Sequence, residues 1–459
     1  MRRAKILLLL ALTVCFAAFL RAATLTNSLV WDNATGHVDA DVHGETLWPL
    51  LEDIAHQTGW HIFVEPGITQ TTDVKFAGLP ASEALRKLLG DLSFALVPKT
   101  NEPSQLYVFT TRMENATRPV RAEKPVVKRQ RHVVNELIVK LKPGADIDAL
   151  AKSLGAKVTG RDDKLGIYRL EFPDAAVTDA ALAKLQNNSD VAAVDYNYIF
   201  DQPPAPRAIA NAPASSTPPL TLETPKQNDP CSPVVGLIDT QVQSLGSQLD
   251  PIMLPPVSVV GNLPANTSLV PTHGTAMANA LAQAIQQSSH GKSPVRILSV
   301  VVYDSSETTT SWNVALGIQA AVNGGATVLN MSLGGITDSP ILDDIVNQAL
   351  AKGIVIFAAA GNQPVSSPTY PAAISGVNDV TALGQPGQLA PYANFSPQVD
   401  MALPGTTIFS YGGQSFVVQG TSPATAYATG MAAGTKGLNC PTWAQIQAAM
   451  QLKFPVPTK

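Results

Sequence analysis

Five apolar runs, each followed by a helical stretch or a glycine-rich turn, constrain the second half of this chain more than any other feature. They are PVVGLID from Pro233, VSVV from Val257, RILSVVVYD from Arg296, ATVLNMSL from Ala326 and IVIFAAAG from Ile354. A strand with one wet face alternates apolar and polar residues, whereas a continuous run belongs to a strand buried on both faces. Between the runs, MANALAQAIQQ, NVALGIQAAV and LDDIVNQALAKG repeat apolar residues at helical spacing. This alternation predicts an α/β fold, a mostly parallel sheet with helices on both faces. In such sheets active sites gather at the carboxyl ends of the strands.

Four residues near those ends carry chemistry. Ser422, in GTSPATAYATG, opens a helix. It reads either as an N-cap, with Pro423 as the first helical residue, or as a nucleophile that needs a nearby base. Two histidines follow residue 230. His290 lies among loop residues; His273 sits where an extended loop becomes a helix, beside Gly274, and is the better base. Asp239 ends the first apolar run, as a turn residue or as the carboxylate that orients an imidazole. Asn362 ends the last run, as a turn residue or as an oxyanion donor. In order they are Asp239, His273, Asn362 and Ser422, separated by 34, 89 and 60 residues. Aspartate before histidine before serine is the order that sets the subtilisin arrangement apart from other serine triads.

With that order, VVGLIDT, HGTAMANAL, AAAGN and GTSPATA resemble the four site segments of subtilisin-like serine proteases, across nearly all of 233–452. The resemblance implies Asp239 as orienting acid, His273 as general base and acid, Ser422 as nucleophile, and Asn362 with the Ser422 amide as oxyanion donors. NMSLGG resembles the family's substrate-pairing strand, and substrate contacts are expected at Ser332, Leu333, Gly334, Ala360 and Gly361; the walls suggested by Ala358 to Gly361 are small and apolar. A non-charged side chain before the cut follows from those walls. Structural calcium is frequent in the family, but no ligands are assignable here; the triad itself requires no cofactor and no metal. Three positions depart from the family: Gln241 and Pro423 replace a usual glycine and methionine, and Ala426 replaces a proline. The chain also ends soon after Ser422, so the family's closing strands are expected to be missing or replaced.

Upstream, residues 1–23 read as an export signal: Arg2, Arg3 and Lys5 precede a 15-residue apolar run, Ile6 to Leu20. That run is short for a membrane span, so an uncleaved anchor is the lesser reading. Residues 24–112 alternate helices and strands and resemble the short N-terminal domain of secretins and TonB-dependent receptors. That resemblance implies an envelope protein as partner; a generic α/β spacer is the alternative. Residues 113–132, with RPVRAEKPVVKRQRH, read as a basic linker in which Lys128, Arg129 and Arg131 form a processing site or a solvated stretch. Residues 133–200 form a small α/β unit, ferredoxin-like in pattern. Its NELIVKLKPG and VAAVDYNY resemble the inhibitory propeptide of subtilisin-like proteases. Residues 201–230 are rich in Pro, Ala, Ser and Thr and read as a mobile linker. The last domain is 231–459.

Charge and cysteine usage narrow the class. A formal net charge of −4 argues against nucleic acid as a main partner. Of three cysteines, Cys15 lies in the signal, leaving Cys231 and Cys440 as one disulfide or as two separate buried thiols. No CxxC spacing suggests zinc. The expectation is an exported, periplasmic, cell-surface or secreted serine endopeptidase made as a self-processing precursor, its partners a polypeptide substrate and its own propeptide. The rivals are an inactive subtilisin-fold scaffold and a dedicated processing protease docking one envelope partner.

Overall fold

The computed structural model describes residues 27–32, 35–99, 103–120, 131–209, 231–243, 249–263, 268–292, 294–305, 307–385 and 387–457. The expected signal and its alternative anchor, Lys128 and Arg129, and most of the expected 201–230 linker lie outside the described residues. The chain divides into two compact units, residues 1–127 and 128–458.

The first unit runs β1 (Ser28–Asp32), β2 (His37–Thr46), α1 (Leu47–Thr58), β3 (His61–Val64), β4 (Thr71–Pro80), α2 (Ala81–Leu89), β5 (Ser93–Val97), β6 (Gln105–Phe109) and β7 (Arg118–Val120). Its sheets are β1-β2-β4 and β5-β6-β3-β7. Leu50, Leu51 and Ile54 of α1 and Leu85, Leu88 and Leu89 of α2 are fully buried, as their helical spacing predicts. The β1–β2 pair precedes the first expected element. Its signal was the alternation of Val38, Ala40 and Val42, all buried, with exposed Asp39 and half-buried Asp41. The expected 113–132 linker needs correction. Arg118–Val120 pairs with β3 as an edge strand, a position where Pro119 costs no ladder bond.

The second unit opens with β8 (His132–Leu141), α3 (Ile147–Leu154), β9 (Lys157–Asp162), β10 (Ile167–Glu171), α4 (Ala175–Leu185) and β11 (Val191–Asp201). This βαββαβ order folds as the antiparallel sheet β11-β8-β10-β9. One face packs on α3 and α4 through Leu137, Val139 and Leu170. The short strand β12 (Arg207–Ala208) follows, within what the sequence reads as linker. That reading is corrected because β12 finds a ladder partner far along the chain.

The remainder is β13 (Val234–Asp239), β14 (Met253–Ser258), α5 (His273–Ser289), β15 (Arg296–Val301), β16 (Thr308–Thr310), α6 (Ser311–Asn323), β17 (Val328–Met331), α7 (Pro340–Ala351), β18 (Val355–Ala359), β19 (Asn378–Gln385), β20 (Gln388–Leu389), β21 (Met401–Pro404), β22 (Thr406–Tyr411), β23 (Gln414–Gln419), α8 (Thr421–Asn439) and α9 (Trp443–Lys453). The main sheet has the order β14-β15-β13-β17-β18-β19-β20, with β21 beside β19. Every pairing is parallel except β19 with β20. One face packs on α5 and α8, the other on α6 and α7. The apolar run VSVV was expected as a buried strand. Instead β14 begins four residues earlier, at the sheet edge, where Pro255 and Pro256 are tolerated.

The sheet β11-β8-β10-β9 rests on α6 and α7. Ile138, Ile167 and Phe200 share one core with Trp312 and Ile341. Asn197 Oδ1 accepts from the Trp312 amide at 3.1 Å, and Lys140 pairs with Asp344. Cys231 and Cys440 form a disulfide with their Cα atoms 5.2 Å apart, so of the two readings left open for these thiols the bonded one holds.

Candidate active site

All six residues of β13 are buried, and the strand delivers Asp239 to its carboxyl end at 1 % exposure. Oδ1 of Asp239 accepts from the Thr240 amide at 2.6 Å and from Thr240 Oγ1 at 3.2 Å. His273 is the first residue of α5 and is equally buried. Its Nδ1 lies 2.9 Å from both carboxylate oxygens. That contact turns Nε2 away from the carboxylate, the orientation a general base requires.

The two backbones meet closely behind this pair. The Gly274 amide donates to Thr240 Oγ1 at 2.7 Å, and a Cβ on Gly274 would stand 2.1 Å from the Thr240 carbonyl oxygen. Only glycine fits there. Gln243, which sequence reasoning missed, completes the clamp. Its Oε1 accepts from the Thr272 amide at 2.7 Å and its Nε2 donates to the Val270 carbonyl at 3.2 Å. Its own amide donates to Thr275 Oγ1 at 2.9 Å. Thr272 Oγ1 donates to the Gln241 carbonyl at 2.6 Å, so the residue in the family's glycine position contributes its backbone to the same clamp.

Ser422 lies in the first turn of α8 at 5 % exposure. The expectation that it caps the helix is corrected. The N-cap is Gly420, at φ 153°, and Ser422 is the second helical residue. Pro423 is then the third, still among the first four amides that lack an intrahelical partner, so its missing N–H removes no helix bond. A Cβ on Gly420 would come 3.1 Å from Asn362 Nδ2. In this rotamer Ser422 Oγ donates to the Ser332 carbonyl at 3.2 Å, and Ser332 Oγ donates to the Ser422 carbonyl at 3.0 Å. Asn330 Nδ2 donates to Ser332 Oγ at 3.0 Å and Thr429 Oγ1 donates to Asn330 Oδ1 at 3.0 Å, both buried. The start of α8 is thereby fixed to β17.

Asn362 follows β18. Its Oδ1 accepts from the Thr421 amide at 2.8 Å and from Thr421 Oγ1 at 3.1 Å. The carbonyl end of the amide is occupied, so the Nδ2 end is the one presented outward, as an oxyanion donor must be. Ala360 and Gly361 are held by Asn394, which donates from Nδ2 to the Ala360 carbonyl at 2.8 Å and from its amide to the Gly361 carbonyl at 3.0 Å. Ser332 and Leu333 are buried. Gly334 and Gly361 line a cavity of about 520 Å³ together with Ile199, Phe200 and Asp201. Among the described residues no group of three or more His, Cys, Asp or Glu side chains gathers to hold a metal ion.

Asp239 at the end of β13, Asn362 after β18 and a helix-borne Ser422 tied to Ser332 after β17 thus gather at one end of the parallel sheet, an arrangement able to support serine-based acyl transfer. Residues 232–453 match the subtilase family, and residues 118–197 match the fervidolysin N-terminal prodomain. Subtilisin Savinase from Lederbergia lenta is 33 % identical over 186 residues, 39 % of this chain and 68 % of that protein. A thermostable alkaline protease from Halalkalibacterium halodurans is 37 % identical over 169 residues, 36 % of this chain; the chain spans 46 % of that relative, about half its length. The crystal structure of fervidolysin from Fervidobacterium pennivorans, described as a keratinolytic enzyme related to subtilisin, shares the fold. Its TM-score is 0.56 at 18 % identity, over 72 % of this chain and 62 % of that one. The chain belongs to the subtilase family. It carries a fervidolysin-like prodomain ahead of the family domain.

Proposed function

We propose that this protein is an exported serine endopeptidase made as a precursor, whose 133–200 unit covers the site until it is cut. The observation that carries the reading is the buried Asp239–His273 contact at 2.9 Å, at the same sheet end as Ser422 and Asn362. In the mechanism, Ser422 Oγ rotates from the Ser332 carbonyl toward His273, a tightening of the kind unliganded sites commonly need. His273 Nε2 takes its proton as the oxygen attacks the scissile carbonyl. Asp239 holds the Nδ1–H and stabilises the imidazolium. Asn362 Nδ2 and the Ser422 amide donate to the oxyanion, and His273 returns the proton to the leaving amine. Water then repeats the sequence on the acyl-enzyme.

Residues 24–112 are proposed to dock a cell-envelope protein, on their resemblance to secretin and TonB-receptor modules. Among the described residues no helix is long and apolar enough to cross a membrane. The test is expression of 24–459 in a periplasm as wild type and as Ser422→Ala, read by intact mass and fluorophosphonate labelling. The wild type should be shortened and labelled, and the variant neither. An unlabelled, uncut wild type would move the reading to a non-enzymatic scaffold. Deleting 24–112 should spare cleavage of a generic peptide and impair cleavage of the docked partner.

A further inference from the structure

We propose that residues 202–207 form a strap that threads the precursor's own cleft yet offers Ser422 only bonds that resist cleavage, so that maturation is made by a second molecule. The inference rests on the protease reading and adds its regulation.

Both ends of the strap are fixed. On one side the end of β11 pairs antiparallel with β16, Ile199 opposite Thr310 through Asp201 opposite Thr308. The Gln202 amide continues the ladder, donating to the Glu307 carbonyl at 2.8 Å. Ile199, Phe200 and Asp201 line the same cavity as Gly334 and Gly361. On the other side β12 pairs antiparallel with β23, Arg207 opposite Val417 and Ala208 opposite Phe416. The Ile209 amide extends it, donating to the Ser415 carbonyl at 2.9 Å. Strand β23 runs directly into Gly420, Thr421 and Ser422. Carrying its register two residues further sets Ala205 opposite Gln419. An extended chain covers about 17 Å over five residues at roughly 3.3 Å each. The five peptide bonds from Gln202 to Arg207 therefore bridge the nucleophile, held as an added strand on each side.

The sequence of the bridge is Gln202-Pro203-Pro204-Ala205-Pro206-Arg207. Every one of its five bonds has proline on one side or the other, so the conclusion does not depend on register. Where proline follows the bond, the leaving nitrogen carries the ring Cδ in the space through which His273 must deliver its proton. Where proline precedes it, φ is held near −65° rather than the roughly −140° of an antiparallel strand, and no N–H is left for the ladder. The tetrahedral intermediate then forms or collapses poorly, so a covered site spares its own strap, and a copy whose strap has lifted from its cleft cuts its neighbour.

The full precursor tests this through its maturation kinetics. Processing of the wild type is followed by intact mass over about a thirtyfold dilution. The mature N-terminus is expected outside 203–207, with a half-life that lengthens in proportion to dilution. A concentration-independent cut inside 203–207 would overturn the strap. The variant Pro203→Ala with Pro204→Ala and Pro206→Ala should be cut inside 203–207, independently of concentration and about tenfold faster or more. If that variant keeps the wild-type cut and rate, the prolines are not the block and the proposal falls. The dilution series needs no variant, so a misfolded triple mutant leaves it decisive. Fluorophosphonate labelling reads the protease separately. Labelled protein cut inside the strap overturns the strap alone; protein neither labelled nor cut overturns the protease and the strap with it.

Discussion

Asp239 and Asp379 stand in the same sheet, each 1 % exposed, and meet opposite fates. Asp239 receives Thr240 twice and His273 once. Asp379, on β19, has no hydrogen-bond partner on either carboxylate oxygen among the described residues. Burial, and then the nearby Asp400 carboxylate, push its pKa up to about 7. The difference teaches where this fold spends its polar contacts. The carboxylate proposed to serve chemistry is surrounded with donors, and the other is left for burial to neutralise. A third case lies between them. Asp343, near the N-terminus of α7, is raised to about 7 by burial and by Asp338 and Asp195; Asp195 belongs to β11 and is itself raised chiefly by burial.

The largest test of the contrast is Asp239→Asn. It should lower kcat about 10⁴-fold with little change in KM, because the imidazole loses the partner that fixes its tautomer. Steady-state kinetics on a peptide substrate checks this. Asp379→Asn should do the reverse, leaving kcat alone and raising stability. The sign follows from the raised folded pKa. The wild-type contribution is fully present below the unfolded value near 3.8 and is lost as pH rises through about 7. Denaturant melts should show the variant equal to wild type near pH 4 and more stable at pH 8, by about 2–4 kcal/mol. A variant less stable at pH 8 would mean that Asp379 holds a partner after all.

Gln243→Ala should cost roughly tenfold in kcat, about the worth of one or two lost hydrogen bonds. The apparent pKa of the kcat/KM profile should move with it, since the clamp sets the Asp239–His273 geometry; an unmoved profile would make Gln243 merely structural. The smallest effect is expected for Asp343→Asn. Facing it are Asp195 from β11, which Tyr198 and Ser339 hydrogen-bond, and Asp338 and Tyr370 from its own side. Its contribution to prodomain binding is greatest in acid and is lost as pH rises through about 7. In the cut complex, the variant should hold the prodomain several-fold more tightly than wild type at pH 8 and equally at pH 5, checked by inhibition assays.

The site was readable in the sequence where local pattern and chain order coincide. Asp239 closes an apolar run and His273 opens a helix, and both facts are visible within ten residues. Gln243 was not readable. Its role depends on contacts with Thr272 and Thr275, 29 and 32 residues away, and glutamine carries no local signature. Pro203, Pro204 and Pro206 gave the composition of a free linker, and only the distant pairing of Arg207 with Val417 reveals a held segment. The edge strands β7 and β14 were obscured for a related reason. Proline argues against a central strand and says little about an edge.

The Cys231–Cys440 bond closes a covalent ring of chain around Asp239, His273, Asn362 and Ser422. Everything before residue 231 hangs from that ring as a tail and can be trimmed without opening it. A nick inside the ring, for instance at the exposed Leu269 and Val270, linearises the loop without separating its pieces. On a gel such a molecule would migrate as one band until reductant is added, and only then fall into two.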